Sequence, residues 1–337
     1  MNWLRYLKYD PIQPLLESDN NALTYFTNRD LLDKQVQPIS YIWDLPEVNK
    51  IIKKQVEGGY WASKKNTENT IQNYSLIETW KQFRFLVEKY EMNKSHQCIE
   101  RAAEFLFSCQ KEEGDIRGFL GNQYTTYYTG AILYLLIKAG YENDPRVEKG
   151  IKWLLSMRQD DGGWVGSPVW TLDNVSWTER IELITKDIKT LKEWDRTRPL
   201  CLNSTGMVIR AFAVHPKYKK SEEARKAARL LKQHFFMENY YTSYKHKDHW
   251  LCFQYPFWWN NLVSALDSII KIYPEKDDKD IENAVNWLID HQENTGLWKI
   301  SYSKIHKNTV TQKTKEAELW ITLVICRILK KYIYYKK

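Results

Sequence analysis

Three side chains of the kinds that bind zinc stand within five residues, in Asp248-His249-Trp-Leu-Cys252. Carboxylate, imidazole and thiolate are all ligands for that ion. Taken singly they have plainer readings: a buried core thiol for Cys252 and a hydrogen-bonded helix-end residue for His249. Glycoside cleavage is a second chemistry, and it needs two carboxylates flanking the bond at a definite separation. Asp173, Asp195 and Asp248 are the acids that could supply it, so Asp173, Asp195, Asp248 and His249 are the candidate catalytic residues. Binding without turnover is a third role. Aromatic and small polar residues open a series of apolar runs: Tyr124, Tyr127 and Tyr128, then Asn203 and Ser204, then Trp258, Trp259, Asn260 and Asn261. With Trp177, Trp250 and Tyr255 they are the candidate ligand-binding residues, since pockets combine apolar walls with a few placed polar groups. Asn260-Asn261 keeps two readings, helix capping and a polar pair facing a cavity.

Such residues need a scaffold, and a repeated stretch supplies it. Gln292-Glu-Asn-Thr-Gly296-Leu-Trp298 closes a helical run from Ile281 to His291, and Gln55-Val-Glu-Gly-Gly59-Tyr-Trp61 has the same Gln-x-x-x-Gly-x-Trp form. Gln110-Lys-Glu-Glu-Gly114-Asp-Ile116 keeps the Gln and Gly, and Gln159-Asp-Asp-Gly162-Gly-Trp164 is one residue shorter. Recurrence at roughly 50 residues marks a repeat architecture. Gln233, in the long gap before Gln292, is expected to begin a degenerate copy.

Each turn joins two kinds of helix. The first is amphipathic, as in Ile99, Ala102, Ala103 and Leu106, or Val147, Ile151, Leu154 and Leu155. That spacing turns one face inward and leaves Lys and Glu in water. Asp144-Pro145 is a start signal, a capping carboxylate followed by a residue suited to the first helical position. The second helix, as in Tyr127 to Ala139, Thr205 to Val214, Asn261 to Ile272 and Leu319 to Leu329, is apolar nearly all round and so is predicted to be buried on every side. Strict alternation predicts an all-α fold, an α/α toroid of outer and inner helices. Five pairs fall near residues 47–92, 95–140, 145–215, 221–273 and 278–332. Residues 1–46 read as an N-terminal extension packed on a toroid of 47–337. An insertion at 165–200, with Trp170, Asp173, Trp177, Trp194 and Asp195, is predicted to be an ordered cap over one mouth of the ring.

Of 337 residues, 43% are hydrophobic, so the chain is not of the disordered class. Its 15 Trp and 22 Tyr call for an aromatic cavity or aromatic packing between repeats. The net charge of +8 comes mostly from scattered Lys, with no basic stripe that would suggest nucleic acid. Five scattered cysteines fit a reducing compartment. No secretion signal and no apolar run of the ~18 residues a spanning helix needs are visible. The expected location is therefore cytoplasmic, with peripheral membrane contact left open and no protein partner indicated.

The turns and alternating helices resemble the squalene cyclase and protein-prenyltransferase β-subunit superfamily over about residues 47–332. The chain is also similar to stand-alone prenyltransferase-like repeat proteins in Asn28-Arg29-Asp30-Leu31-Leu32, Cys201-Leu202-Asn203, Asp248-His249-Trp250-Leu251, Tyr255-Pro256-Phe257 and Leu319-Trp320-Ile321-Thr322-Leu323. The resemblance gives the turn Gln and Trp residues a structural role. In squalene cyclases an Asp-rich stretch opening an inner helix protonates an alkene. The corresponding stretch here is Cys201-Leu-Asn203-Ser204-Thr205-Gly206, and neither Asn nor Ser can do this. Asp277-Asp278-Lys279-Asp280 has acids but precedes an outer helix and reads as a solvated helix start. The prenyltransferase zinc pattern, Asp-x-Cys with a distant His, is also missing, so neither a metal nor a cofactor is expected. The implied function is binding of an isoprenoid or other apolar ligand in a central aromatic cavity. A non-catalytic scaffold and a carbohydrate-active α/α barrel are the alternatives, and whether the chain is an enzyme stays open.

Overall fold

The computed structural model describes residues 3–336 apart from 66, 68–69, 168, 170–171, 173, 187–194, 242–244, 273–276 and 305–310. Its main helices alternate between outer and inner: α1 (Pro46–Ile52), α2 (Tyr74–Arg84), α3 (Gln97–Ser108), α4 (Thr126–Leu136), α5 (Pro145–Ser156), α6 (Leu202–Val214), α7 (Glu222–Gln233), α8 (Leu262–Ile272), α9 (Lys279–Asp290) and α10 (Gln312–Tyr335). Odd-numbered helices are outer and even-numbered ones inner. The outer α3 buries one stripe, Cys98, Ile99, Ala102, Ala103, Leu106 and Phe107. Inner helix α4 buries everything except Tyr127 and Tyr128, and α6 everything except Val214. Gly130 of α4 lets α6 approach: a Cβ there would stand 2.9 Å from the Val208 Cα. Among the described residues there are isolated backbone bridges but no strand. The architecture is an all-α toroid of outer and inner helices.

Capping sets the helix starts. Asp144 accepts from the Arg146 N–H at 2.8 Å, with Pro145 at the first helical position. Asp278 caps α9 by accepting from the N–H groups of Asp280 and Ile281. It is not solvated, as expected for that stretch, but buried and paired with Lys232.

The turns tie each pair to the next. The Gln55 side-chain amide donates to the Gly59 carbonyl at 2.9 Å and the Cys98 carbonyl at 2.8 Å, and that of Gln110 to the Gly114 and Arg146 carbonyls. Gly59 sits at φ +79°, and a Cβ there would lie 2.3 Å from the Arg101 carbonyl oxygen, so only glycine fits. Gln159 reaches the Asp195 and Arg198 carbonyls instead. A further device completes each turn. The backbone N–H of Trp61, Ile116, Trp164 or Trp298 donates to a threonine hydroxyl of the following inner helix, Thr79, Thr129, Thr205 or Thr322 respectively, at 2.9–3.1 Å. All four threonines are fully buried, so each satisfies a donor that water cannot reach. Gln233, expected to begin another copy, is exposed, and no turn of this form follows it among the described residues.

The N-terminal segment closes the ring. The Gln292 amide donates to the carbonyls of Gly296 and Tyr9, and its oxygen accepts from the backbone N–H groups of Lys8 and Tyr9. Residues 8–10 thus stand where the next outer helix would be, and a Cβ on Gly296 would come within 2.2 Å of the Asp10 carbonyl oxygen. Of the 165–200 insertion, helix Trp177–Thr185 begins with a capping box between Ser176 and Glu179. It docks through the Ile184 carbonyl, which accepts from the Asn122 N–H at 3.1 Å. Trp170, Asp173 and Trp194 lie outside the described residues.

Candidate functional site

The starts of the inner helices do converge, and several of their polar groups pair with one another, while the buried Asn261 Nδ2 has no hydrogen-bond partner among the described residues. Asn203 accepts from the Asn260 backbone N–H at 2.9 Å, and the Asn260 amide donates to the Leu202 carbonyl at 3.1 Å. Asn261 and Ser264 cap each other at 2.9 and 3.0 Å. Asn203, Ser204, Asn260 and Asn261 are all buried. Asn260 also fills the groove left by Gly206, where any Cβ would meet its side chain at 2.0 Å. The Tyr127 hydroxyl donates to the Trp258 carbonyl. Trp258 packs on Trp80 with centroids 4.7 Å apart, and Tyr128 stacks on Phe119 at 4.0 Å. Trp259 donates to the Cys252 carbonyl, and Tyr124 lies beside Trp153 under Arg117. This end of the ring is an aromatic and amide knot that holds helices together.

The other predicted groups are scattered. Asp195 is exposed and bonded to Thr197 and Arg198. Asp248 accepts from Ser303 and from the Lys304 backbone N–H, both at 3.0 Å. Burial alone would raise its carboxyl, but these donors and His246 bring it below the ordinary carboxylate range. The His249 Nδ1 stands 2.9 Å from the His246 carbonyl oxygen, and burial lowers the pKa of the ring. Burial pushes the Cys252 thiol up, and it points at the Asp248 carbonyl. Among the described residues no three His, Cys, Asp or Glu gather as metal ligands. Trp250 is fully buried on Phe235 and donates to the Met237 carbonyl. Trp177 is 66% exposed.

Tyr255 belongs elsewhere. It lines a cavity of about 310 Å³ at the opposite end of the ring, where the inner helices finish. Its hydroxyl donates to the Glu88 carbonyl and its ring stacks on Trp320. The wall pairs apolar side chains, Phe257, Ile270, Val324 and Ile328, with five basic ones, Arg29, Lys138, Lys271, Arg327 and Lys331, and three carboxylates, Asp30, Glu91 and Asp267. Sequence reasoning missed these charges. They carry a legible signal, because the inner helices end in polar residues four apart: Arg84 and Glu88, Tyr134 and Lys138, Asp267 and Lys271, Arg327 and Lys331. A spacing of four puts both members on one helix face. Three π-helical turns frame the cavity, Thr27–Leu31, Phe85–Lys89 and Ile137–Tyr141. They carry Arg29 and Asp30, then Glu88, then Lys138. Such turns recur at functional sites because the extra residue re-aims a side chain.

Beneath the cavity lies a buried ion pair. Arg210 donates to Glu88 at 2.6 Å, both all but inaccessible. The Tyr134 hydroxyl donates to the same Glu88 oxygen at 3.0 Å, and the Arg210 guanidinium lies 4.0 Å over the Tyr134 ring. Arg84 lies against Trp258 and Trp80 and, among the described residues, donates to the Phe257 carbonyl alone, at 3.3 Å. Burial brings its pKa down to about 10. In the cavity itself, burial pushes Asp267 up, but Lys271 at 2.5 Å, with Lys138 and Arg210, more than offsets it. Asp30 and Glu91 are likewise pushed up by burial and held down by Arg327 and Arg29. All three net shifts lie below the ordinary carboxylate range, so all three acids are ionised at neutral pH. An ionised carboxylate cannot protonate an alkene.

Fold and site define a helical toroid with a charged cavity at the C-terminal ends of its inner helices. Residues 66–184 match the family model of the squalene-hopene cyclase C-terminal domain. That segment spans the turns at Gln110 and Gln159, and its repeat is squalene-cyclase-like. Among solved structures, the chain is similar to a protein from Actinoplanes over 96% of this chain and 88% of that one, at 14% identity and a TM-score of 0.45. It is also similar to a variant of the type II terpene cyclase MstE from Scytonema in complex with merosterolic acid A, a product, over 86% of this chain and 95% of that one (13% identity, TM-score 0.31). A variant of that cyclase in complex with geranylgeranyl dihydroxybenzoate, a substrate, aligns over 84% and 95% (11% identity, TM-score 0.33). No helix among the described residues is long and apolar enough to cross a membrane.

Proposed function

We propose that the chain binds a small amphiphile in the cavity at the C-terminal ends of its inner helices. One observation carries this reading: Ile270, Val324 and Ile328 share a single cavity with Lys138, Lys271 and Arg327. The ligand's apolar part is an isoprenoid or other aliphatic chain lying on the three aliphatic residues, and its polar part faces the charges. At about 310 Å³ the cavity stands at the small end of the roughly 300–1,000 Å³ typical of ligand pockets, which favours a short chain. Of the residues singled out from sequence, Tyr255 belongs to this site. The proposal assigns binding, and the ionised cavity acids speak against alkene protonation there.

Calorimetric titration with geraniol and octanol, against methyl glucoside as a sugar of comparable size, tests the reading. The two alcohols are expected to bind saturably, and Val324→Trp, which fills the cavity, to weaken them at least roughly ten-fold, the equivalent of about 1.4 kcal/mol. Saturable binding of the sugar alone would move the chain to the carbohydrate class. Binding by none of the three would leave a scaffold role.

A further inference from the structure

The cavity's charges do not balance. Arg327 and Arg29 hold Asp30, Arg29 also holds Glu91, and Lys271 holds Asp267. That pairing accounts for all three carboxylates and three of the five basic side chains. Lys138 and Lys331 remain, and neither has a carboxylate within 4 Å among the described residues. Each lies by a ring: Lys138 5.7 Å from the Tyr134 centroid and Lys331 5.9 Å from that of Tyr335. Burial lowers the pKa of each and Lys271 adds to the effect, against a partial offset from the more distant carboxylates, Glu88, Glu91 and Asp267 for Lys138 and Asp267 for Lys331. A cation taken out of water without a partner is costly. The carbonyl ends of the inner helices carry partial negative charge that offsets part of this. They cannot fully neutralise two whole charges beside a third.

We propose that Lys138 and Lys331 hold the anionic head of the ligand, a carboxylate or phosphate oxyanion, while its apolar chain lies on Ile270, Val324 and Ile328. This rests on the binding reading above and names the ligand class. The two lysines come from different helices, Lys138 from the π-helical turn after α4 and Lys331 from α10, so an anion between them would clamp the second pair to the fifth. A second, shallower groove shares Arg29, Asp30, Arg327 and Lys331 with the cavity and adds Lys330, which Asp33 holds at 2.7 Å, so Lys331 is the base that faces both the groove and the cavity without a carboxylate of its own among the described residues.

The test compares octanol, octanoate and octyl phosphate, which share one chain, by calorimetry on the wild type, Lys138→Met and Lys331→Gln. Hydrogen bonds between charged partners are stronger than neutral ones, so one of the anions is expected to bind roughly ten-fold or more tighter than octanol. Each variant should erase most of that advantage, read as the ratio of anion to octanol affinity on the same variant. Which anion gains more distinguishes a carboxylate from a phosphate ligand. Raising salt on the wild type should weaken the anions and not the alcohol, a readout independent of any variant's folding. Equal affinity of all three compounds would overturn the anion assignment and leave the amphiphile reading standing. Binding by none of them would sink both.

Discussion

Trp298→Ala is expected to lower the free energy of unfolding by about 3–5 kcal/mol, the range for deleting a large aromatic from a packed interior. Trp298 is fully buried, and its indole N–H donates to the Leu288 carbonyl at 2.7 Å, inside the last turn of α9. Its backbone N–H is held by Thr322 of α10 and its Gln292 partner by the N-terminal segment. Removing the ring opens a void where an outer helix, an inner helix and the ring-closing segment meet, and it leaves the Leu288 carbonyl with only the His291 N–H, at 3.2 Å, as donor among the described residues. Ile116 occupies the corresponding place in another turn and is equally buried, so Trp298→Ile should cost less than the alanine. Urea denaturation followed by circular dichroism measures both. A midpoint unchanged by the alanine would mean that this turn does not hold the repeat together.

Arg210→Met should cost a comparable amount, about 3–5 kcal/mol, by a different route. It removes one partner of the Glu88 ion pair while keeping the aliphatic bulk of the side chain. The second Glu88 oxygen already has no hydrogen-bond partner, so the Tyr134 hydroxyl alone would face a fully buried carboxylate. The cost lies in the orphaned charge and not in lost volume. Adding Glu88→Gln to the same variant should therefore recover part of the stability. A double variant worse than Arg210→Met by the full cost of a second large deletion would show the two residues to be independent, contrary to the 2.6 Å contact.

Much of the scaffold is legible in the letters. Gln55 with Trp61 and Gln292 with Trp298 mark turns because an amide and an indole at that spacing reach fixed carbonyls, and Asp144-Pro145 marks a helix start. The threonines at 79, 129, 205 and 322 escaped because loops of unequal length separate them from the residues they serve. The ring closure escaped because residues 8–10 act through backbone groups, which leave no pattern of side-chain types. The cavity was hidden by averaging: Asp267 and Lys271 sit in a run from Asn261 to Ile272 that is otherwise so apolar that it reads as wholly buried. The aromatic and amide residues at the helix starts suggest a pocket, and in the fold Asn203 accepts from the Asn260 N–H while Tyr127 donates to the Trp258 carbonyl, joining α4 and α6 to the segment before α8. Nothing in the types of two Asn residues tells a cavity wall from a helix clamp, and the 2.9 Å bond between them does.

The central claim is that ligand sits where the inner helices end and not where they begin. Hydrogen–deuterium exchange, read peptide by peptide with and without saturating octanoate, separates the two ends directly. The account predicts added protection in peptides covering 134–141, 267–272 and 324–331, with 124–128, 203–207 and 258–264 unchanged. Protection confined to the second set would contradict it and return the site to the helix starts.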